Sequence, residues 1–295
     1  MDNRSHEEAQ WDMDILTAEM LDVQGLDLDL SLTGFSEREL DAMLRVDNSA
    51  EDEVPPVPEA PVSRLGDLWL LGEHRVLCGD CTQALGVMDL FDGRRADTLW
   101  TDPPFGVSYV GKTKAKLTID GDEQSGLRTL LDGFLAVARM VVAPSAPFYI
   151  AHPPGALYMT FGKAVQQAGW RIHQNLVWVK DSMVLGHSDY HFQHEPIIYG
   201  FTPGEGRPGR GNHAGTRWQG DHSQVSIFQI DRPKRSEEHP TMKPVELVRR
   251  CLLNSTPARG TVYEPFCGSG STVIACEDTG FKCVALEIAP AYTDV

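Results

Sequence analysis

The chain has 295 residues, of which 41% are hydrophobic, and it carries a formal net charge of −16. These values are typical of a soluble globular protein and exclude a fibrous or fully disordered chain. No segment approaches the roughly 18 to 20 apolar residues that a membrane span requires, and the polar, acidic start does not resemble a signal peptide. Six cysteines are too few for a disulfide scaffold. We therefore expect a cytoplasmic protein with reduced thiols and no membrane partner.

The negative charge is concentrated in the first 60 residues. This part holds 17 Asp and Glu against 3 Arg, which gives a balance of −14. Residues 61–295 hold 25 acids and 23 bases, which gives a balance of −2. A strongly acidic chain argues against a nucleic-acid partner. Here, however, the acidity belongs to an N-terminal appendage, and the rest of the chain is nearly neutral.

Residues 1–50 predict a small helical appendage. Apolar residues recur at helical spacing over 12–24, and a Ser-Glu-Arg-Glu capping-box pattern starts at Ser36 ahead of a second apolar stripe. Such a unit has little core of its own, and it is a candidate for forming a homodimer or contacting a partner. Residues 51–64 are acidic and Pro-rich, which is typical of an extended linker.

Residues 65–295 have the pattern of an α/β domain, in which short apolar runs alternate with helical periods. Seven strands are predicted, at 76–78, 98–101, 148–151, 176–179, 197–201, 262–264 and 283–286. Helices are predicted at 83–92, 126–142, 155–168, 244–255 and 271–279. A hairpin over 67–78 is expected to turn at residues 72 and 73. Residues 202–238 lack a helical period and are rich in Gly and Arg, so we interpret them as an insertion.

The motif VYEPFCGSGST at 262–272 predicts a strand that ends in an acid, a turn containing Gly268 and Gly270, and a helix that starts at Ser271. Such a turn lets a ligand approach the backbone at a helix N-terminus, or it only packs the strand on the helix. A Walker loop is excluded because no Gly-Lys-Ser/Thr follows, and the third Gly of a dinucleotide fingerprint is missing. Glu287 closes the next strand about twenty residues on, where an acid that binds ribose hydroxyls is expected. An adenosine-bearing cofactor is therefore favoured over NAD.

The motif TLWTDPPFGVSY at 98–109 predicts a strand that ends in Asp102, Pro103, Pro104 and Phe105. Two consecutive prolines fix the backbone and remove two N–H donors, so the nearby carbonyl oxygens have no competing amide beside them. A carboxylate, a rigid carbonyl and an aromatic ring together suit a planar heterocycle with an exocyclic amino group. The alternative is an ordinary strand-terminating Asp-Pro turn.

Four motifs together resemble those of the amino-methylating DNA methyltransferases, which use S-adenosylmethionine. DPPF at 102–105, EPFCGSGST at 264–272, HPTMKP at 239–244 and the GD at 79–80 are similar to motifs IV, I, X and III of that family. The catalytic motif precedes the cofactor motif, which resembles the order in the circularly permuted beta subgroup.

The resemblance covers about residues 65–293. VWVK at 177–180 and HEPIIYGF at 194–201 fall where the beta subgroup has further sheet motifs. The segments TGFSERELDAML at 33–44 and LGDLWLLGEHRVLCGD at 65–80 also resemble phage-like and bacterial members that carry a ParB-like nuclease domain further upstream.

The resemblance implies a class I methyltransferase fold, which is Rossmann-like, with a seven-stranded, mostly parallel and circularly permuted sheet. In that order the strands that end at Glu264 and Thr101 are central neighbours. Both motifs then lie at the switch-point crevice where open α/β sheets bind ligands. Because the termini of compact domains are often close together, rotating the chain order preserves such a site.

The resemblance also implies roles for the catalytic motif. Asp102 and the Pro103 carbonyl would accept hydrogen bonds from the target amino group, with no covalent intermediate, and Phe105 would stack on a base flipped out of the duplex. Pro104 completes this motif.

For the cofactor, the resemblance implies that Asp80 holds the adenine amino group and that Glu287 holds the ribose hydroxyls. Thr241 and Lys243 are expected to reach the cofactor carboxylate, although Lys243-Pro244 is also the pattern of a helix N-terminus with Pro in its first turn. The methionine moiety would contact the Gly-rich turn at Glu264, Pro265, Phe266, Gly268, Gly270, Ser271 and Thr272.

Basic residues in two segments are the candidates for binding double-stranded DNA. Lys112, Lys114 and Lys116 follow the catalytic motif and either contact phosphate or form a solvated charge run. The insertion at 202–238 is the expected DNA-recognition element because it combines bases with a Trp that can stack or wedge. Its candidate residues are Arg207, Arg210, Arg217, Trp218, Lys234 and Arg235.

No metal site is expected. Cys78 and Cys81 form a single pair without a second pair at zinc spacing, and the histidines are scattered along the chain.

The sequence thus predicts a site-specific DNA methyltransferase that acts on the N6 amino group of adenine and is associated with the nucleoid. N4-cytosine methylation stays open, although that group usually has Ser in place of Asp102. Related enzymes that act on RNA or protein normally have the cofactor motif first. A non-catalytic DNA-binding relative would not need the acids at 80, 102 and 287, and a dehydrogenase would leave the DPPF motif without a task.

Overall fold

The structure, a computed structural model, describes residues 55–58, 60–105, 124–184, 189–204, 217–221, 223–232 and 242–295. The chain divides into two compact units, Met1–Ala50 and Glu51–Val295. The two helices predicted for the appendage lie outside the described residues. The described part of the predicted linker contains no helix or strand.

The second unit alternates strands and helices along the chain, as the apolar pattern predicts. The strands are β1 (Leu68–Leu71), β2 (His74–Cys78), β3 (Thr98–Thr101), β4 (Pro147–Ala151), β5 (Arg171–Val184), β6 (Phe192–Phe201), β7 (Ile227–Gln229), β8 (Thr261–Glu264) and β9 (Lys282–Glu287). The helices are α1 (Ala84–Asp89), α2 (Gln124–Val141), α3 (Tyr158–Gln167), α4 (Val245–Ser255), α5 (Ser271–Thr279) and α6 (Pro290–Thr293).

Within the described residues, the nine strands form one sheet in the order β1-β2-β9-β8-β3-β4-β6-β5-β7. Strands β2, β9, β8, β3 and β4 are parallel, and β6 is antiparallel to both β4 and β5. The seven predicted strands are all present, and the predicted hairpin forms β1 and β2. The mostly parallel sheet expected for a class I methyltransferase fold is confirmed, but the described residues form nine strands where the resemblance implied seven.

The strands differ from the prediction in two respects. Strand β7 lies inside the segment 202–238 and pairs with β5 at the edge of the sheet. It contains only three residues, of which Phe228 is buried, so it is too short to show a period in the sequence. Strands β5 and β6 extend beyond their predicted ranges because residues 171–175 and 192–196 pair in the sheet without an apolar signal.

The core lies on both faces of the sheet. Side chains alternate along β3, so that Leu99 packs with helices α1, α2 and α3, and Trp100 packs with α4 and α5. Parallel strands covered by helices on both faces are buried throughout, which gives continuous apolar runs in the sequence. This burial explains why the central strands were predictable.

The carboxyl ends of β2, β9, β8 and β3 meet at one edge of the sheet. Strands β8 and β3 are parallel neighbours paired at Val262 and Thr98, so their ends bring Glu264 and Asp102 to the same edge. Glu287 ends β9 beside them. The chain continues from β8 to β9 on one side and from β3 to β4 on the other, which makes this edge a topological switch point.

The segment that precedes β1 is held to the segment after α6. The carboxylate of Asp294 accepts hydrogen bonds from the backbone N–H groups of Val62 at 2.5 Å and Ser63 at 3.0 Å, and from the Ser63 hydroxyl. Residues 63 and 294 are thus neighbours although they are 231 positions apart in the sequence.

Candidate active site

The Gly-rich turn between β8 and α5 lies at the carboxyl edge. The N–H of Cys267 donates to the carbonyl of Leu286 on β9 at 2.7 Å, which fastens the turn to the neighbouring strand. Gly268 and Gly270 have φ angles of +54° and +86°, in the left-handed region that glycine enters without steric cost. Apart from each glycine and its neighbours in the chain, no atom of the described residues lies within 4 Å of the position that a Cβ would take at either glycine. The outer side of the turn therefore leaves room for a ligand.

Glu264 lies beneath this turn and is 1% exposed. Its Oε1 accepts hydrogen bonds from the Thr101 hydroxyl at 2.8 Å and the Phe266 N–H at 3.0 Å, and its Oε2 accepts one from the Thr272 hydroxyl at 2.9 Å. Burial raises the pKa of Glu264 to about 8, although these hydrogen bonds favour the carboxylate. The Glu264 side chain thus joins β8, β3 and α5 from the inside.

The other residues of the turn divide between its inner and outer sides. The ring of Phe266 packs edge-on against Phe134 of α2 at a centroid distance of 5.3 Å. Pro265 and Thr272 are buried, and Ser271 is half-buried. The structure therefore leaves the glycines, the Ser271 side chain and backbone groups as the parts of this turn that are accessible to a cofactor.

Two half-buried carboxylates flank the turn. Glu287 accepts hydrogen bonds from the N–H groups of Gly268 at 2.8 Å and Ala289 at 2.9 Å. Asp80 follows β2 and accepts hydrogen bonds from the backbone N–H of Thr82 at 2.8 Å and from its hydroxyl at 2.7 Å. Burial raises the pKa of Asp80, but these hydrogen bonds outweigh it and lower the pKa below its ordinary value. Because each carboxylate oxygen has two lone pairs, both residues retain acceptor capacity for hydroxyl or amino groups.

Asp102 follows β3 at the same edge, with a side chain that is 24% exposed. Its Oδ2 accepts a hydrogen bond from the Lys243 ammonium at 2.5 Å, and its Oδ1 is buried without a hydrogen-bond partner among the described residues. Leaving a buried acceptor unpaired costs about 1–3 kcal/mol. Pro103 is buried beside it, and Phe105 is half-buried. The site thus holds a bare acceptor oxygen next to a rigid diproline segment.

A chain of alternating charges continues inward from Asp102. The ammonium of Lys243, which precedes α4, also lies 3.1 Å from Oε2 of Glu195 on β6, and Glu195 in turn pairs with Lys180 on β5. Both lysine side chains are 7% exposed, and that of Glu195 is 17% exposed. We call Lys180, Glu195, Lys243 and Asp102 the buried charge chain.

The pKa values in the buried charge chain reflect this alternation. Burial opposes the charge of Glu195, but the ammonium groups of Lys243 and Lys180 lower its pKa to about 2. Burial also opposes the charge of Lys243, but the carboxylates of Asp102 and Glu195 raise its pKa above the ordinary value. Burial raises the pKa of Asp102, and Lys243 counteracts this effect. Lys243 is therefore the cation that favours the ionised form of Asp102.

Phe105 connects Asp102 to a group of aromatic rings. The Lys243 ammonium lies 5.1 Å from the centroid of the Phe105 ring, which also meets Phe161 of α3 edge-on at 6.4 Å. Phe161 contacts the buried imidazole of His152, and that imidazole contacts the ring of Tyr158 at 5.0 Å. The Lys243 ammonium thus contacts both the Asp102 carboxylate and the ring of Phe105.

Most predicted DNA-binding residues lie outside the described residues, and so does Thr241. Those DNA-binding candidates are Lys112, Lys114, Lys116, Arg207, Arg210, Lys234 and Arg235. Arg217 is described, and it donates to the Pro144 carbonyl at 3.3 Å and lies 3.9 Å from the Asp97 carboxylate. Asp97 and Pro144 precede β3 and β4, so Arg217 lies at the amino edge of the sheet, opposite Asp102. Trp218 packs against the core next to α4. The structure does not bring these two residues together with Asp102.

Cys78 and Cys81 are buried free thiols. Burial raises the pKa of Cys81 far above the ordinary thiol value, which disfavours the thiolate that a metal would require. In the described part of the chain, no three His, Cys, Asp or Glu side chains are grouped as a metal site. Of the helices that the structure describes, none has the length and apolar character for crossing a membrane.

Sequence reasoning gave Lys180 and Glu195 no role in the site. They belong to the motifs VWVK and HEPIIYGF, in which each is a charged residue beside an apolar strand segment. Charged side chains are rarely buried unless they are paired. A charged residue directly beside a buried strand segment was therefore the sequence signal that could have indicated an ion pair. Lys243 was expected to reach the cofactor carboxylate, and in the structure its ammonium lies between the carboxylates of Asp102 and Glu195.

The sequence was compared with known families and relatives. Residues 96–295 match the DNA methylase family N6_N4_Mtase, and residues 14–65 match the ParB-methyltransferase HTH domain. The Type II methyltransferase M2.LlaDCHI of Lactococcus lactis subsp. cremoris is 25% identical over 215 residues, which cover 68% of this chain and 80% of that protein. The Type II methyltransferase M2.DpnII of Streptococcus pneumoniae is 22% identical with the same coverage.

Solved structures share the fold at low identity. The complex of M1.HpyAVI with S-adenosylmethionine has a TM-score of 0.54 and 18% identity, and the match covers 74% of this chain and 94% of that chain. The cytosine-N4-specific PvuII DNA methyltransferase has a TM-score of 0.55 and 14% identity, with coverage of 75% and 84%. TTHA0409 of Thermus thermophilus, complexed with S-adenosyl-L-methionine, has a TM-score of 0.52 and 19% identity, with coverage of 74% and 89%. Since the family match extends over most of its length, the chain belongs to the DNA methylase family.

Proposed function

We propose that this DNA methyltransferase transfers a methyl group from S-adenosylmethionine to the N6 amino group of adenine at a specific site in double-stranded DNA. The observation that carries the proposal is the buried Oδ1 of Asp102, which has no hydrogen-bond partner in the described part of the chain. It lies beside the rigid Pro103-Pro104 segment and the half-buried ring of Phe105. This set of groups suits a planar base that carries an exocyclic amino group.

The amino nitrogen of adenine is a weak nucleophile because its lone pair is delocalised into the ring. Asp102 Oδ1 and the Pro103 carbonyl accept hydrogen bonds from its two N–H groups, which favours a pyramidal nitrogen with a localised lone pair. The two acceptors also orient that lone pair. The protein thus contributes positioning and electrostatic stabilisation, and no covalent intermediate with the enzyme is required.

The target base must leave the duplex before it reaches Asp102. An amino group inside stacked DNA is inaccessible to a buried carboxylate, and enzymes that modify bases extrude them into a pocket. Phe105 supplies a ring for stacking, supported from behind by Phe161. Stacking on an aromatic ring is worth about 1–3 kcal/mol per base, which offsets part of the cost of unstacking.

The residues at the Gly-rich turn fit S-adenosylmethionine. The left-handed Gly268 and Gly270 leave the outer side of the turn open, and Glu287 and Asp80 retain acceptor capacity for the ribose hydroxyls and the adenine amino group. When bound, this cofactor supplies a methyl group that is activated by the positive charge on sulfur. The solved structures of M1.HpyAVI and TTHA0409 with S-adenosylmethionine support this choice.

The N4 amino group of cytosine is the second candidate target. It presents the same pair of N–H groups, and the fold is shared with the cytosine-N4-specific PvuII enzyme. Asp102 favours adenine because the N4-specific group usually has Ser at this position.

Labelled S-adenosylmethionine distinguishes the two bases. The full-length protein is incubated with unmethylated double-stranded DNA, and the DNA is digested to nucleosides. We expect the label in N6-methyldeoxyadenosine, and we expect Asp102→Ala to abolish it. Label in N4-methyldeoxycytidine would move the assignment to the second candidate, and DNA without label would overturn the proposal.

Asp132→Ala is the matched control. Asp132 lies on α2, is half exposed and pairs with Arg128 one helical turn away. It has the same charge as Asp102 but does not lie at the carboxyl edge, so its removal is expected to leave methyl transfer unchanged.

A further inference from the structure

We propose that Lys243 is a positioning residue for Asp102, held in place by Glu195 and Lys180, and that it does not bind the cofactor carboxylate. This inference rests on the proposed function, because it takes Asp102 to be the group that accepts the target amino group. It assigns a role in that reaction to three residues outside the DPPF motif.

Four separate elements bring the buried charge chain together. Asp102 follows β3, Glu195 lies on β6, Lys180 lies on β5 and Lys243 precedes α4. The Glu195–Lys180 contact follows from strand register, since Trp178 is paired with Glu195 and Lys180 is two residues further along the same face. The sheet therefore fixes the positions of Glu195 and Lys180, and the start of α4 places Lys243 beside Glu195 and Asp102.

The Lys243 ammonium is already committed to protein partners. It donates to Asp102 at 2.5 Å and lies 3.1 Å from Glu195, and the Phe105 ring lies 5.1 Å from it. Its side chain is 7% exposed. An ammonium has three donors, and a buried one between two carboxylates would lose strong interactions if it turned to a third anion. This arrangement disfavours a role in binding the cofactor carboxylate.

The pairing with Lys243 determines how Asp102 faces the substrate. One carboxylate oxygen is held by the ammonium, so rotation of the carboxylate is restricted, and the other oxygen accepts no hydrogen bond from any residue that the structure describes. The positive charge also favours the ionised form of Asp102, which can only accept hydrogen bonds and thus matches a donor N–H. Glu195 and Lys180 keep Lys243 in this position.

Two variants change the charge around Asp102 in opposite directions. Lys243→Met removes a neighbouring cation, so the pKa of Asp102 is expected to rise. Glu195→Gln removes a neighbouring anion, so the pKa of Asp102 is expected to fall. The charged groups that act on Asp102 are Lys243, Glu195 and Lys180, and Asp102 in turn acts on Glu264. A purely structural role predicts no such opposite pair of shifts.

The first measurement does not depend on activity. The side-chain carboxyls of the full-length protein are labelled with 13C at Asp, and each resonance is titrated by NMR, with Asp102→Asn identifying the signal of interest. We expect an upward shift of the Asp102 titration in Lys243→Met and a downward shift in Glu195→Gln. Unchanged titrations in both variants would overturn the proposal, whatever base the enzyme methylates.

The second measurement separates positioning from cofactor binding. We expect Lys243→Met to lower kcat on the order of 10²-fold, as misplaced catalytic groups do, while calorimetry gives an unchanged dissociation constant for S-adenosylmethionine. The acid limb of the pH profile is expected to move to higher pH. Lys243→Arg keeps the cation and is expected to restore part of kcat. A weakened cofactor affinity with an unchanged Asp102 titration would instead assign Lys243 to the cofactor.

Arg249→Met is the matched control. Arg249 lies on α4, and it is a buried cation paired with Glu246 and Asp278. Its removal is expected to lower the melting temperature without moving the pH profile. If the wild-type enzyme labels cytosine, the proposed base fails while the Asp102 titrations still test the positioning of Asp102 by Lys243.

Discussion

Two carboxyl groups at the ends of neighbouring strands have opposite environments. Glu264, at the end of β8, is fully buried, and both of its oxygens accept hydrogen bonds from hydroxyl or N–H donors. Asp102, just after β3, has one oxygen on the Lys243 ammonium and the other without a partner among the described residues. Both acids belong to recognisable motifs, yet of the two only Asp102 has an oxygen that accepts no hydrogen bond from the described residues.

This difference separates a carboxyl that supports the site from one that acts in it. Neutral donors satisfy Glu264 without supplying charge, so burial dominates and raises its pKa to about 8. Burial also raises the pKa of Asp102, but there the Lys243 ammonium opposes the rise and occupies only one oxygen. Whether an acid at a strand end supports the site or acts in it therefore depends less on its position than on whether its hydrogen-bond donors are neutral or charged.

The largest effect is expected when Asp102, but not Glu264, is replaced by its amide. Asp102→Asn removes the charge that pairs with Lys243 and turns part of the acceptor into a donor, so kcat is expected to fall on the order of 10²-fold. Glu264→Gln can keep hydrogen bonds to all three donors because hydroxyl groups also accept. Its kcat is expected to stay close to that of the wild type, and single-turnover methylation assays measure both. Equal losses in the two variants would contradict the distinction between them.

The turn that Glu264 supports is expected to show the next largest effect. Gly270→Ala places a methyl group in the open space on the outer side of the turn and strains a left-handed residue. We expect the affinity for S-adenosylmethionine, measured by calorimetry, to fall about tenfold, which corresponds to about 1.4 kcal/mol.

Gly280→Ala is the control for that variant. Gly280 ends α5 with a φ of +68° and also has open space around it. A similar loss of stability with unchanged cofactor affinity is expected, because this glycine lies at the opposite end of the helix. An equal loss of affinity would mean that backbone strain, and not the turn's open side, explains the Gly270 result.

A smaller effect is expected from removing one of the hydrogen bonds that the Glu264 carboxyl accepts. Thr272→Val keeps the side-chain shape but removes the donor to Glu264 Oε2. An unsatisfied buried acceptor costs about 1–3 kcal/mol, and urea denaturation should show a loss in that range. Thr279→Val is a suitable control because its hydroxyl bonds only to backbone carbonyls of its own helix.

The last expected effect is on the pH dependence of stability. The pKa of Glu264 is about 8 in the folded protein and has an ordinary value of 4.5. Within this window the unfolded chain releases the proton and the folded protein keeps it, so the contribution of Glu264 to stability falls as pH rises from 4.5 towards 8. Glu264→Gln lacks this slope. The difference in unfolding free energy between variant and wild type should therefore increasingly favour the variant with rising pH, and a constant difference would show that the Glu264 pKa is not raised.

The fold was predictable because the central strands are buried on both faces and read as short apolar runs. The positions of Asp102, Glu264 and Glu287 at one edge followed from strand order. The pairing of Lys180, Glu195 and Lys243 did not, since it depends on the register of two antiparallel strands and on the arrival of a distant helix. The inward orientation of the Glu264 side chain was also not predictable from the sequence, because the three groups that donate hydrogen bonds to it come from different parts of the fold.

The hydrogen bonds from residues 62 and 63 to Asp294 also bear on how the permuted order arose. Because these residues are neighbours in the fold, a short connecting segment between residues 62 and 294 would turn the domain into a closed chain. Opening that closed chain at a different surface loop would leave the pairing of all strands in the sheet unchanged. An enzyme with the cofactor motif first and one with the catalytic motif first would then differ only in where the chain is opened.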